Sequence, residues 1–223
     1  MPMTRMMSFY RSTIGKKIIM SVTGLIGIVF VLAHMLGNLQ AFSGPAKLNA
    51  YAYFLHGLAA ELLWVARVVL ILAVIFHVMM AWQLRQHSNS ARPVDYRKTE
   101  PQVSTWSART MRWSGVLLLV FIILHLLHFT SGTIRPAGFF QPGDVYANIV
   151  GSFRVWWVTV FYLVAMFFLG LHLYHGAWAS VRTLGYARPS PRPLHRRIAL
   201  AMAVVIWLGF TLVPVGVVVG ILR

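Results

Sequence analysis

The chain has 223 residues, of which 58% are hydrophobic, 11% are charged and only four are acidic. A soluble domain carries roughly a quarter charged residues, and a mean hydropathy of +0.70 puts this chain in a lipid bilayer rather than in water. With no cysteine, disulfides, thiolate metal sites, iron–sulfur clusters and covalently attached c-type haem are excluded. A formal net charge of +16 does not point to nucleic acid, because the basic residues fall in short segments between apolar runs instead of forming one face of a soluble module.

Five apolar segments follow one another, at about 18–37, 61–84, 113–130, 155–181 and 198–222. Each is near the ~20 residues that cross a bilayer as a helix. None has the period-two alternation of a membrane β-barrel. The basic N-terminus runs into the first segment without a small-residue cleavage site, so it reads as retained and not as a removed leader. The expected fold is therefore all-α: a single domain over 1–223, an integral membrane bundle of five transmembrane helices.

Lys and Arg give the orientation. Arg5, Arg11, Lys16 and Lys17 precede the first segment. Arg85, Arg92, Arg97, Lys98, Arg109 and Arg112 lie between the second and third, and Arg182, Arg188, Arg192, Arg196 and Arg197 between the fourth and fifth. These 15 share one side, against Lys47, Arg67, Arg135, Arg154 and Arg223 on the other, out of 20 in all. The bias predicts a cytoplasmic N-terminus and an outer C-terminus. The inner loops, 88-SNSARPVDYRKTEPQ-102 and 187-ARPSPRPLHRR-197, are too short to be domains. Their charge marks topology and offers a docking face for a soluble partner.

Histidines interrupt the apolar runs. The stretch 121-FIILHLLHFT-130 holds His125 and His128, 167-FFLGLHLYHGAW-178 holds His172 and His175, and His34 and His77 stand in the first and second segments. One intramembrane imidazole is commonly an interhelical hydrogen-bonding group worth about 1 kcal/mol. One in each of four consecutive segments asks for more. With 1.5 Å of rise per residue, His34 lies roughly 25 Å beyond Lys17 and His125 roughly 20 Å beyond Arg112. His77 and His172 lie only roughly 12 and 15 Å from Arg85 and Arg182. Two histidines are outer and two inner, the pattern of two bis-histidine sites stacked across the membrane.

Haem b suits such sites, since the protein then supplies axial ligands and an apolar slot. Gly27, Ala73 and Gly176 stand at helical spacing from His34, His77 and His172 and leave room for a macrocycle. A di-iron bundle would need inward carboxylates and Glu-x-x-His pairs, which the sequence lacks. Zinc needs a third or fourth ligand, although His-x-x-His can bind a metal from one helix face. A proton-relaying transporter or channel without haem is the competing class. Depth does not choose between His125 and His128, or between His172 and His175.

The segments 13-TIGKKIIMSVTGLIG-27, 34-HMLGNLQAFSGPAKLNAYAYFL-55, 75-IFHVMMAWQL-84, 115-GVLLLVFIILH-125 and 162-YLVAMFFLGLHLYHGAW-178 together resemble the five-helix, di-haem cytochrome b subunit of the succinate dehydrogenase and fumarate reductase family. The resemblance covers nearly the whole membrane domain. It implies one axial ligand from each of the first four helices: His34 and His125 for the outer haem, His77 and His172 for the inner. The family places the third-helix ligand ten residues after a glycine, as His125 follows Gly115, and the fourth-helix ligand ten after a tyrosine, as His172 follows Tyr162. His128 and His175 are then extras one turn on, either packing residues or hydrogen-bonding partners of a propionate or the backbone, and His56, His87 and His195 have no role.

The resemblance further implies two haem b and a quinone, menaquinone in preference to ubiquinone. It implies flavoprotein and iron–sulfur subunits docked on the cytoplasmic face and a multi-pass location in the inner (cytoplasmic) membrane, and it leaves room for a higher oligomer without fixing the oligomeric state. Succinate chemistry would belong to the flavoprotein; this chain would be the electron-transfer and quinone-reacting subunit. The haem b subunit of another membrane dehydrogenase, such as a hydrogenase or formate dehydrogenase, fits 34-HMLGNL-39 and 13-TIGKK-17 less well. Glu61, the one carboxylate adjoining an apolar segment, is the candidate proton carrier for a quinone at the outer side. An acid in a first helical turn also complements the helix dipole, for about 0.3–1 kcal/mol. Arg67 stands two-thirds of a turn away, placed for a haem propionate and not for Glu61.

Overall fold

A computed structural model describes residues 2–91, 106–187 and 194–223. Arg92, Arg97, Lys98, Arg188 and Arg192, part of the cationic inner loops, lie outside the described residues. Among the described residues eight helices follow in order: α1 (Pro2–Arg11), α2 (Thr13–Leu39), α3 (Pro45–His56), α4 (Ala60–Ser90), α5 (Trp106–His125), α6 (Val145–Arg154), α7 (Trp156–Thr183) and α8 (Leu194–Val218). A 3₁₀ turn, Gln40–Ser43, extends α2, and a π-helical turn, Leu126–Thr130, extends α5. There is no strand among the described residues.

Five helices are long and apolar enough to cross a membrane: Thr13–Ser43, Ala60–Ser90, Trp106–Thr130, Trp156–Thr183 and Leu194–Val218. They carry the five apolar runs of the sequence, with the ends shifted by several residues. The first starts at Thr13 instead of Ile18 because Ser12 caps it: the Ser12 hydroxyl accepts from the Gly15 amide at 2.9 Å, satisfying a donor that a helix start leaves free. Gly15 is required at this corner, since a Cβ there would strike the Phe9 carbonyl. The last span stops at Val218 instead of Leu222. Gly220 takes φ +78°, and the Ile221 and Leu222 amides fold back onto the Gly216 carbonyl at 2.8 and 3.0 Å, a left-handed stop that glycine allows at little cost.

The long helices leave apolar side chains outward, such as Val29, Leu62, Trp64 and Ile71. In water such a surface would drive aggregation; in hydrocarbon it is the solvated face. Inside, α4 packs mainly against α2 and α5 mainly against α7, while α8 closes on α7 and α2. Two cores result. Met35, Leu173, Ala203 and Ile206 join α2, α7 and α8. Ile149, Val150, Phe153, Val158, Tyr162, Val213 and Val217 join α6, α7 and α8 nearer the other end of the bundle.

Two short helices are features that hydropathy did not mark. α3 follows the first span and α6 precedes the fourth, on the side that the charge bias makes the outer one. The Asp144 carboxylate caps α6 by accepting from the Ala147 amide at 2.9 Å, and it accepts from Asn49 Nδ2 on α3 at the same distance. Asn49 Oδ1 in turn accepts from the Tyr146 amide at 3.0 Å. At the opposite end the amphipathic α1 touches α4, where Gln83 Nε2 donates to the Tyr10 hydroxyl at 2.8 Å.

Candidate haem-ligand histidines

The four candidate histidines meet in two pairs. His77 on α4 faces His172 on α7, with ring centroids 6.2 Å apart and planes inclined by 55°. His34 on α2 faces His125 at the end of α5, at 5.8 Å and 82°. An iron about 2 Å from one nitrogen of each of two imidazoles holds their centroids roughly 6 Å apart. Both pairs are spaced for that.

Both rings of the inner pair are tied to the protein through Nδ1, and the tautomer of His77 is fixed by its surroundings. His77 Nδ1 lies 3.0 Å from the Met20 carbonyl and 3.3 Å from Thr23 Oγ1. A carbonyl only accepts, and Thr23 already directs its hydrogen to the Ile19 and Met20 carbonyls at 2.8 and 3.1 Å. His77 Nδ1 must therefore carry the hydrogen. His172 Nδ1 lies 3.3 Å from Ser114 Oγ. Ser114 is fully buried and also lies 3.1 Å from the Met111 carbonyl; with its hydrogen on that carbonyl, its oxygen accepts from His172 Nδ1. The lone pair of His77 is thereby left on Nε2, as is that of His172 when Ser114 bonds Met111, and neither Nε2 makes a hydrogen bond among the described residues. Metal-binding imidazoles are held in this way, the distal N–H tied to the protein and the other nitrogen presented.

Close helix approach positions these rings. A Cβ at Gly24 on α2 would stand 3.2 Å from His77 Cε1 and 3.5 Å from Nδ1, and one at Gly115 on α5 would stand 3.7 Å from His172 Cε1. Of the small residues singled out by spacing, Ala73 is buried, while a Cβ at Gly27 or Gly176 would meet nothing within 4 Å. Gly24 escaped the spacing argument because it serves a histidine on another helix.

The outer pair sits among aromatic rings. Phe30 stacks on His34 at 5.4 Å and 11°, and Phe210 lies 5.8 Å away. Phe121 and Phe129 flank His125 at 5.6 and 5.7 Å. His125 Nδ1 is 3.3 Å from the Tyr162 hydroxyl.

The remaining sequence candidates divide. His128 is buried and commits both ring nitrogens, Nδ1 to the Tyr162 hydroxyl at 3.0 Å and Nε2 to Ser152 Oγ at 2.8 Å. It is a bonded polar residue, more than simple packing. His175 lies edge-on to Trp178 at 5.1 Å, and its Nδ1 and the Trp178 Nε1 are buried without a partner among the described residues. Arg182 and Arg196 lie over Trp178 at 5.4 and 5.7 Å. Glu61 is exposed in the first turn of α4. Arg67 lies over Trp64 at 4.8 Å and donates to His56 Nε2 at 3.5 Å, so it does not pair with Glu61.

Among the described residues no group of three or more His, Asp or Glu side chains converges as a metal cage. The histidines converge in twos, an arrangement that suits bis-histidine haem and not tetrahedral zinc. A scan of protein-family models and searches of curated proteins and of solved structures found no match to this chain.

Proposed function

We propose that this chain is the di-haem cytochrome b membrane anchor of a succinate:quinone oxidoreductase, linking an iron–sulfur subunit on the cytoplasmic side to a membrane quinone. The observation that carries the reading is the inner pair: two imidazoles from different helices, spaced for one iron, with His77 held so that it presents Nε2 and His172 tied through Nδ1 to Ser114. The outer pair repeats the spacing. Haem b, when bound, supplies a one-electron carrier at each level. The Met20 carbonyl, Thr23 and Ser114 orient the inner rings, and Phe30, Phe121, Phe129 and Phe210 keep water from the outer ones. His34, His77, His125 and His172 are the axial ligands in this proposal, and the sequence resemblance adds the flavoprotein partner, the quinone and the inner membrane.

The deciding measurement is a reduced-minus-oxidised spectrum of the purified chain with a haem count. Two b-type haems per chain are expected. A chain without haem would instead be read as a transporter or channel that uses the same histidines.

The charge bias sets the direction across the membrane. A reporter enzyme fused after Arg223 is expected to be active outside the cytoplasm only; cytoplasmic activity there would overturn the orientation. Glu61 is the proposed proton carrier for quinone chemistry at the outer side, where its exposed carboxylate stands at the start of α4. In the assembled complex Glu61→Gln is expected to retain both haems and succinate–dye activity while quinone-linked turnover collapses. Unchanged quinone turnover would leave Glu61 only its interaction with the helix dipole.

A further inference from the structure

The outer pair differs from the inner in what holds its ligand. His77 leans on a carbonyl and His172 on a serine hydroxyl, whereas His125 leans on a phenol that is itself bonded onward. Its Nδ1 meets the hydroxyl of Tyr162 at 3.3 Å, and the same oxygen meets His128 Nδ1 at 3.0 Å, while His128 Nε2 reaches Ser152 Oγ at 2.8 Å. Three of the four members, Tyr162, His128 and Ser152, are buried to 7%, 6% and 5% exposure. Phe121, Phe129, Phe153 and Phe161 surround the phenol ring, at centroid distances of 5.1, 5.8, 5.1 and 5.8 Å. In so apolar a shell the members depend on one another for hydrogen bonds.

We infer that His125, Tyr162, His128 and Ser152 form a one-way hydrogen-bond chain that positions the outer haem's axial ligand and sets that haem's potential apart from the inner one's. This rests on the ligand assignment proposed above. An Nε2 that ligates iron leaves the hydrogen on His125 Nδ1, so His125 donates to the Tyr162 oxygen. The phenol then has one hydrogen and one acceptor in reach, His128 Nδ1. His128 therefore carries its own hydrogen on Nε2 and gives it to Ser152. The opposite sense at His128 would have the Tyr162 oxygen accept twice and leave its hydrogen without a partner inside the phenylalanine shell, at the cost of an unsatisfied buried donor. The π-helical turn belongs to the device. It begins at Leu126, between the two histidines, and is closed by the Ser131 amide on the Leu126 carbonyl at 2.9 Å. Such wide turns recur at functional sites; here His125 and His128 reach one oxygen while His128 also extends to α6.

A ligand imidazole that donates through Nδ1 to a good acceptor becomes a stronger base toward the metal and favours its oxidised state. Tyr162 is thus a positioning residue acting through His125. The test is a potentiometric titration of the purified chain, following both haems optically, with the outer couple identified as the one missing in His34→Ala. Tyr162→Phe, which keeps the ring and deletes the acceptor, is expected to raise the outer midpoint potential and leave the inner one in place. His128→Phe, which keeps the acceptor but removes the group that polarises it, is expected to give a smaller rise of the same couple. If Tyr162→Phe costs the outer haem altogether, His128→Phe alone decides: a rise supports the chain and no rise overturns it. Two haems with an unmoved outer couple in Tyr162→Phe overturn the inference while leaving the di-haem reading intact. A wild-type chain that binds no haem defeats that reading itself.

Discussion

His77→Ala and His172→Ala are each expected to remove the same haem, the inner one, and to leave the outer. His34→Ala and His125→Ala are expected to do the reverse. The pairing follows from the rings that face each other, at 6.2 and 5.8 Å between centroids. A bis-histidine site that loses one ligand loses half of its coordination from the protein, so the expected effect is one haem per chain in place of two, read from the haem count and the surviving spectral component. His175→Ala is expected to keep both. His128→Ala is also expected to keep both, but with a less stable protein, because Tyr162 and Ser152 each lose a buried partner and such a loss costs about 1–3 kcal/mol per group. Loss of a haem in His128→Ala with both retained in His125→Ala would reverse the choice within 125-HLLH-128.

Gly24→Val is expected to abolish the inner haem as completely as a ligand substitution, although Gly24 binds nothing. The first carbon of the new side chain would lie 3.2 Å from His77 Cε1, already tight, and the two methyl groups beyond it have to occupy the imidazole's place. The ring would be driven off the Met20 carbonyl and Thr23, and with them would go the constraint that presents Nε2. Gly24→Ala asks only for a small shift of the ring and is expected to weaken the inner haem, not remove it. The outer pair shares none of these contacts, so its haem should persist in both variants. Two haems in Gly24→Val would mean that His77 is not held where the α2–α4 contact puts it.

The spans and the two levels of histidine were legible because both depend on quantities that a linear sequence carries directly: run length, and distance along a helix from the nearest basic residue. Rise per residue is nearly constant, so counting from Lys17, Arg85, Arg112 and Arg182 amounts to measuring depth. What escaped depends on which helices touch. Gly24 matters to a histidine 53 positions away on α4, and Ser114 to one on α7; neither relation has a period. The outer helices α3 and α6 are 12 and 10 residues long, too short to register as spans. His128 was underrated for a related reason. Its worth lies in Ser152, on a helix the hydropathy did not reveal, and in a π-helical turn that no simple pattern announces.

The joint between α3 and α6 has a consequence for how the chain assembles. Asn49 and Asp144 are 95 positions apart, and the second and third spans lie between them. The two hydrogen bonds that join α3 to α6 can close only after both of those spans have entered the bilayer and both connections have been delivered to the same side. Bringing such distant segments together has an entropic cost that must be met before the bonds form. During synthesis the joint therefore acts as a latch that engages late, when the first two membrane spans and the next two have been brought into register, and a chain inserted with one span inverted cannot fasten it.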